Sequence, residues 1–221
     1  MRKKTILALL AVAVAAPLYA QAPAGQAPAA PAPAAAPSPN TWEIDANHTT
    51  AAFTVKHMMV TNVTGTFGKV AGKINYDGKD VTTISADVAI EATSINTNNE
   101  KRDNHLRSPD FFDATNNPQI TFKSKKAVKG TTPGTFKLIG DLTIRGVTKE
   151  VTLDVEGPTQ PLNAGAVTKI GATATTTINR HDYGVKWNRM IEAGGVTVGD
   201  MVKITIDIEA NRRNATAPSN Q

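Results

Sequence analysis

The chain has 221 residues, with 24 Lys plus Arg against 19 Asp plus Glu for a formal net charge of +5, and aromatic residues make up only 5% of it. Because cysteine is absent, disulfides, thiolate metal sites, covalent c-type haem, a cysteine nucleophile and a lipobox anchor are all excluded. Stability has to come from the packing of a core.

Residues 1–20 combine a basic start (Arg2, Lys3, Lys4), an apolar run from Ile6 to Ala16 and Leu18-Tyr19-Ala20 before Gln21, which is the layout of a secretory signal peptide. Cleavage near Ala20 is expected, which makes the mature protein periplasmic or secreted. The apolar run is shorter than the roughly 17 to 25 residues that span a bilayer. Loss of three basic residues and no acidic ones lowers the formal charge from +5 to +2, so part of the basic character belongs to the targeting segment. Lys123, Lys125, Lys126 and Lys129 alternate along one stretch with no stacked aromatics, and no nucleic-acid partner is expected.

Residues 21–39 contain only Ala, Pro, Gly, Gln and Ser, a composition that buries no core and reads as a disordered spacer. The domain is placed at 40–212 and a disordered tail at 213–221. Within the domain the hydrophobic period is two. Ala51, Phe53 and Val55 share one face, as do Ile84, Ala86, Val88 and Ile90, and then Phe136, Leu138, Gly140, Leu142 and Ile144. Later runs repeat the pattern at Val151, Leu153 and Val155, at Ile170, Ala172 and Ala174, and at Val202, Ile204, Ile206 and Ile208. These predict about eight or nine half-buried antiparallel strands. Asp77-Gly78 and Gly130–Gly134 suit hairpin loops, and Gly157-Pro158 marks a longer break. Periodicity alone leaves a closed barrel and a β-sandwich both open.

The stretch from Thr93 to Ser124 interrupts the strands. Thr97 with Glu100 makes a capping box, Ser108-Pro109 a second helix start, and Asn117-Pro118 a stop, so two short helices are predicted. Its run of Ile95, Thr97, Asn99, Arg102, Asp103, Leu106, Asp110 to Phe112, Pro118, Ile120 and Phe122 resembles the signature of the YceI-like family. Gly140 to Thr148, Ile178-Asn179-Arg180 with Asp182-Tyr183-Gly184, and Val198-Gly199-Asp200 with Val202 extend the resemblance from about Trp42 to Ala210.

That resemblance implies an all-β, lipocalin-like antiparallel barrel of about eight strands with a short helical insert. It also implies a bound polyisoprenoid, such as a quinone or polyprenyl lipid, and is compatible with a homodimer and transient membrane contact. Small inward positions (Ala51, Ala52, Gly72, Ala86, Gly140, Ala172, Ala174) suggest a hollow interior. Its wall or rim is expected at Phe53, Val55, Met58, Met59, Phe67 and Leu106, continuing through Phe111, Phe112, Phe122, Leu142, Tyr183 and Trp187. Arg102, Asp103, Arg107, Arg180 and Asp182 form either a polar mouth for a lipid head group or ion pairs that pin the insert. His48, His57, His105 and His181 lack metal-site spacing, and no phosphate loop, nucleophile elbow or dinucleotide fingerprint occurs. No cofactor and no catalytic residue is assigned. The alternatives are a stress-linked interaction protein with its barrel packed shut and an enzyme acting on an isoprenoid; an outer-membrane barrel conflicts with the charges on the outward face.

Overall fold

The computed structural model describes residues 38–190 and 196–214; the signal segment, the spacer as far as residue 37 and the tail from residue 215 lie outside the described residues. In chain order the strands are β1 (Thr41–Ile44), β2 (Thr50–His57), β3 (Thr61–Phe67), β4 (Val70–Asn75), β5 (Ser85–Glu91) and β6 (Ile95–Asn96). Helix α1 (Glu100–Arg107) separates them from β7 (Gln119–Lys129), β8 (Thr135–Ile144), β9 (Val147–Glu156), β10 (Leu162–Ala164), β11 (Val167–Asn179) and β12 (Val198–Arg213).

Every ladder is antiparallel. β1 and β2 lie end to end along one edge of β12, through Ile44↔Ala210 and then Ala51↔Ile206, Phe53↔Ile204 and Val55↔Val202. β3 continues β4 in the same way, and β6 continues β5. Three broken staves and the long strands β7, β8, β9, β11 and β12 thus close an eight-stranded barrel, with β10 folded as a flap on β11. The sandwich alternative falls because β11 pairs with β9 at one end of the strand series and with β12 at the other, which closes the sheet on itself.

The alternating faces are as read from the period. Phe136, Leu138, Leu142 and Ile144 are buried inward, while on the outer face Lys137 meets Asp154 at 2.5 Å and Lys125 meets Asp141 at 2.6 Å. Such exposed pairs contribute only about 0–1 kcal/mol each, so burial on the inner face dominates. Two of the small inward positions do not leave empty space. A Cβ at Gly72 would stand 2.4 Å from the Asp87 carbonyl oxygen, and one at Gly140 would stand 2.5 Å from that of Lys123. Both glycines permit close approach of a neighbouring strand instead.

At the β1–β2 break, Asp45 accepts hydrogen bonds from His48 Nδ1 (3.1 Å), the Asn47 backbone N–H (3.0 Å) and Asn211 Nδ2 (2.9 Å). The His48, Asn47 and Asn211 bonds, in that order, hold its carboxyl down at about 2, below the ordinary 3.8. A folded value below the unfolded one means that this stabilisation is complete above about pH 4 and is lost as the pH falls toward about 2. Asp45→Asn should therefore flatten that part of an acid-unfolding curve followed by circular dichroism; an unchanged curve would remove Asp45 from the account.

The insert holds one α-helix among the described residues, not two. Asn99 caps α1 by accepting from the Arg102 N–H at 3.0 Å, so Thr97 and Glu100 do not form the expected capping box. Beyond α1 the chain doubles back instead of starting a second helix. The N–H groups of Phe112, Ala114 and Asp113 donate to the carbonyls of Leu106, Arg107 and Ser108, satisfying groups that a helix end leaves open. Asp113 turns the chain at φ 48°.

Candidate functional site

The barrel encloses a lumen with a cavity volume of about 200 Å³, and its accessible wall is wholly apolar. Inward side chains such as Phe53, Val88, Ala172 and Ile204 remain only partly buried although they point away from bulk water, because they face this space. Left empty, 200 Å³ costs about 5 kcal/mol at about 24 cal/mol per Å³. That is a sizeable fraction of the ~5–15 kcal/mol that holds a domain folded.

Nine of the twelve apolar residues expected at the site line the lumen: Phe53, Val55, Phe67, Leu106, Phe111 and Phe112, together with Phe122, Leu142 and Tyr183. Phe53, Phe67 and Phe112 form an aromatic chain with centroid spacings of 5.9 and 5.6 Å. Trp187 stands off the wall, 5.3 Å from Phe111 and 4.9 Å from His105, and backs the insert rather than touching the lumen. Met58 and Met59 are also off the wall, exposed at the β2–β3 turn. α1 with Phe111 and Phe112 covers one end of the barrel. At the other end Trp42, fully buried, donates to the Tyr76 carbonyl (3.0 Å) beneath the Arg212 guanidinium, 4.3 Å above its ring.

Four of the five polar residues expected at a mouth, Arg102, Asp103, Arg107 and Arg180, are committed to holding the chain. Arg102 donates to Thr97 Oγ1 (2.7 Å) and the Thr97 carbonyl (2.8 Å), and Asp103 accepts from the Thr97 N–H (2.9 Å) and hydroxyl (2.5 Å). Arg107 donates to the carbonyls of Thr93 and Ile95, each at 2.9 Å. Asp182 is exposed. Arg180, 5% exposed, donates to four backbone carbonyls: Gly199 at 3.0 Å, Val185 at 2.7 Å, Trp187 at 2.9 Å and Val198 at 3.3 Å. Its nearest carboxylate is Asp200 at 3.6 Å. Burial lowers the Arg180 pKa, and Asp200 acts in the opposite direction.

Tyr183 is different. It is 2% exposed on the lumen wall, and its hydroxyl has no hydrogen-bond partner among the described residues. Burial, helped by Asp182, pushes it up to about 12, so it stays a neutral donor. An unpaired buried hydroxyl costs about 1–3 kcal/mol. Close by, the barrel seam is loose. β9 and β11 pair only from Glu156↔Thr173 to Asp154↔Thr175, and the 3₁₀ turn Arg180–Tyr183 packs beside the diverging strands.

A metal-like cluster of Asp45, His48 and Glu209 lies elsewhere, at the β1–β2 break. Lys169 already occupies it as a cation, bonded to Glu209 and 3.9 Å from Asp45.

The YceI-like domain profile matches residues 42–210. The UPF0312 protein SA2479 of Staphylococcus aureus is 40% identical over 168 residues, 75% of this chain and 94% of that protein. This chain belongs to the YceI-like family. The crystal structure of the Campylobacter jejuni YceI protein superposes with a TM-score of 0.59 at 32% identity, covering 72% of this chain and 90% of that one. A polyisoprenoid binding domain from Saccharophagus degradans, implicated in plant cell wall breakdown, shares the fold with a TM-score of 0.56 at 15% identity, over 76% of this chain and 97% of that one.

Sequence reasoning passed over one strut of this YceI-like barrel. Arg145, at φ 51° in the β8–β9 turn, donates to the carbonyls of Phe111 (3.1 Å) and Gly184 (3.4 Å), tying the insert to the chain after β11. The only sequence signal was an arginine before Gly146, where an asparagine or aspartate is usual for such a turn.

Proposed function

We propose that the protein is an exported carrier or store of a long-chain polyisoprenoid, a prenyl quinone or polyprenyl lipid, held in the lumen without chemical turnover. The single observation that carries this reading is the wholly apolar cavity, which suits a flexible hydrocarbon and disfavours the packed-shut alternative. A barrel of the same fold described as polyisoprenoid binding points the same way. Among the described residues the wall carries no His, Asp, Glu, Lys or Ser, so an acid–base pair for turnover is not at hand there.

Magnitudes limit what such binding means. At ~0.8 kcal/mol per CH₂, a forty-carbon chain moved from water would gain more than the practical ceiling of about 18–21 kcal/mol. The relevant competitor is the bilayer, in which the chain is already dry. Net affinity then rests on the fit of the lumen.

The test is native mass spectrometry of the protein purified from its own envelope, with organic extraction of whatever is released. A stoichiometric prenyl lipid supports the reading; an empty protein that also takes none from micelles refutes it. Tyr183→Phe should leave stability unchanged or higher, because it removes a buried hydroxyl without a partner among the described residues, and should leave prenyl-lipid loading as in the wild type, because that hydroxyl is not presented to the lumen. A fall in Tm, or weaker loading by fluorescence titration in micelles, would show that the hydroxyl does have a partner.

A further inference from the structure

Four of the seven large apolar side chains exposed among the described residues lie together at one end of the barrel. Met58, Met59 and Val60, at 42%, 59% and 83% exposure, make the β2–β3 turn, and Met190 at 75% stands beside it. The two segments are joined: the Met58 N–H donates to the Thr197 carbonyl (2.8 Å), the Thr197 N–H donates to the Arg189 carbonyl (2.9 Å), and Met190 bridges to Val196. β3 pairs with β6 only at Thr66 and Phe67, so Thr61 to Gly65 have no second neighbouring strand among the described residues and the hairpin projects. It projects from the same end as α1, which covers the lumen.

Three features identify what meets this tip. Met58 and Met59 stand at φ 51° and 59°, a left-handed backbone that Asn or Gly adopts with less strain, and both side chains remain exposed. The patch is only four side chains wide, whereas a stable protein partner needs about 800 Å² per side; a fluid bilayer accepts a narrow apolar wedge with no matching groove. Exposed Lys56 and Arg189 flank the tip and have no carboxylate partner among the described residues, while nearby Asp200 faces Arg180 and His181 at 3.6 and 3.3 Å. Basic residues beside an apolar wedge favour anionic head groups.

We propose that Met58, Met59, Val60 and Met190 form a membrane-docking patch that enters the head-group boundary of a bilayer containing anionic lipid and seats the α1 end of the lumen on it. The inference deepens the carrier reading by stating where the lipid is exchanged. It predicts a contact that the lumen itself does not need.

Because the chain contains no cysteine, a single Met59→Cys labelled with an environment-sensitive dye reports on the tip alone, with Val128→Cys as an outer-face control. Vesicles of phosphatidylcholine with one quarter phosphatidylglycerol should shift the Met59 dye to the blue and expose it to quenching by spin-labelled lipid, with no change at Val128. In flotation, the full chain carrying Met59→Asp and Val60→Asp should lose about ten-fold in vesicle partition, and Lys56→Glu with Arg189→Glu should lose partition only on the anionic vesicles. The two-aspartate variant should still load prenyl lipid from detergent micelles as the wild type does. An unshifted dye at Met59, or wild-type flotation of the two-aspartate variant, overturns the proposal. So does a wild-type dimer that this variant makes monomeric, because the patch would then serve self-association. The two readings separate cleanly. A tip that inserts on a protein taking no prenyl lipid sinks the carrier and keeps the docking; micelle loading without insertion does the reverse.

Discussion

Arg180→Met should lower the unfolding free energy by about 3–5 kcal/mol, which for a domain of this size is a fall in Tm of roughly 10 °C. The guanidinium donates to the carbonyls of Gly199, Val185, Trp187 and Val198. Methionine fills similar space but takes the donor from the Gly199, Val185 and Trp187 carbonyls in a buried place, while Val198 keeps the Asn188 amide at 2.9 Å, and each orphaned acceptor costs about 1–3 kcal/mol before water or local opening relieves it. The loss should be local first: Arg180 ties Val185 and Trp187 to Val198 and Gly199, so hydrogen exchange around Val185 and Trp187 should rise before the barrel strands lose protection. Arg180→Lys should recover part of the loss, because one ammonium offers three donors without the fork that reaches four carbonyls. A Tm within about 2 °C of wild type for the methionine variant would show that the carbonyls find other partners, and that Arg180 is free for a ligand.

That expectation shows where sequence reading stopped. Arg102, Arg107 and Arg180 were visible as a polar set, yet each ends on backbone carbonyls. A carbonyl is present at every residue and leaves no mark in the residue types, so a head-group mouth and a set of ion pairs were the only partners that the letters could suggest. The strands were legible because one face of each is buried: the run Phe136, Leu138, Leu142, Ile144 keeps its period with every member at 8% exposure or less. The breaks in the first three staves were not legible, since β1 and β2 share one partner strand and differ only by the turn at Asp45. Met58 and Met59 were assigned to the rim by residue type, because methionine suits adaptable apolar surface. Their left-handed backbone, which lifts them off the wall, has no signature in a methionine pair.

Ile206→Trp should abolish loading of the lumen while leaving the fold intact. Ile206 points inward and pairs across β12 with Ala51 on one side and Ala174 on the other, so an indole at this position meets two small neighbours and extends into the cavity instead of into a packed wall. Filling void in an empty barrel removes part of its cavity cost, and the ligand-free variant should match the wild type in Tm or exceed it by about 1 kcal/mol in stability. Prenyl lipid stoichiometry after micelle exchange should fall at least ten-fold, and the thermal stabilisation that bound lipid gives the wild type should vanish with it. Ile206→Leu, equal in volume, should load normally and so separates obstruction from loss of a contact. The combination decides between two pictures of the site. If the tryptophan variant loses ligand and keeps its Tm, the chain of the lipid lies along the barrel axis past Ala51 and Ala174. If it still carries one prenyl lipid per protein, the lipid is held outside the lumen, and the apolar cavity is not the binding site.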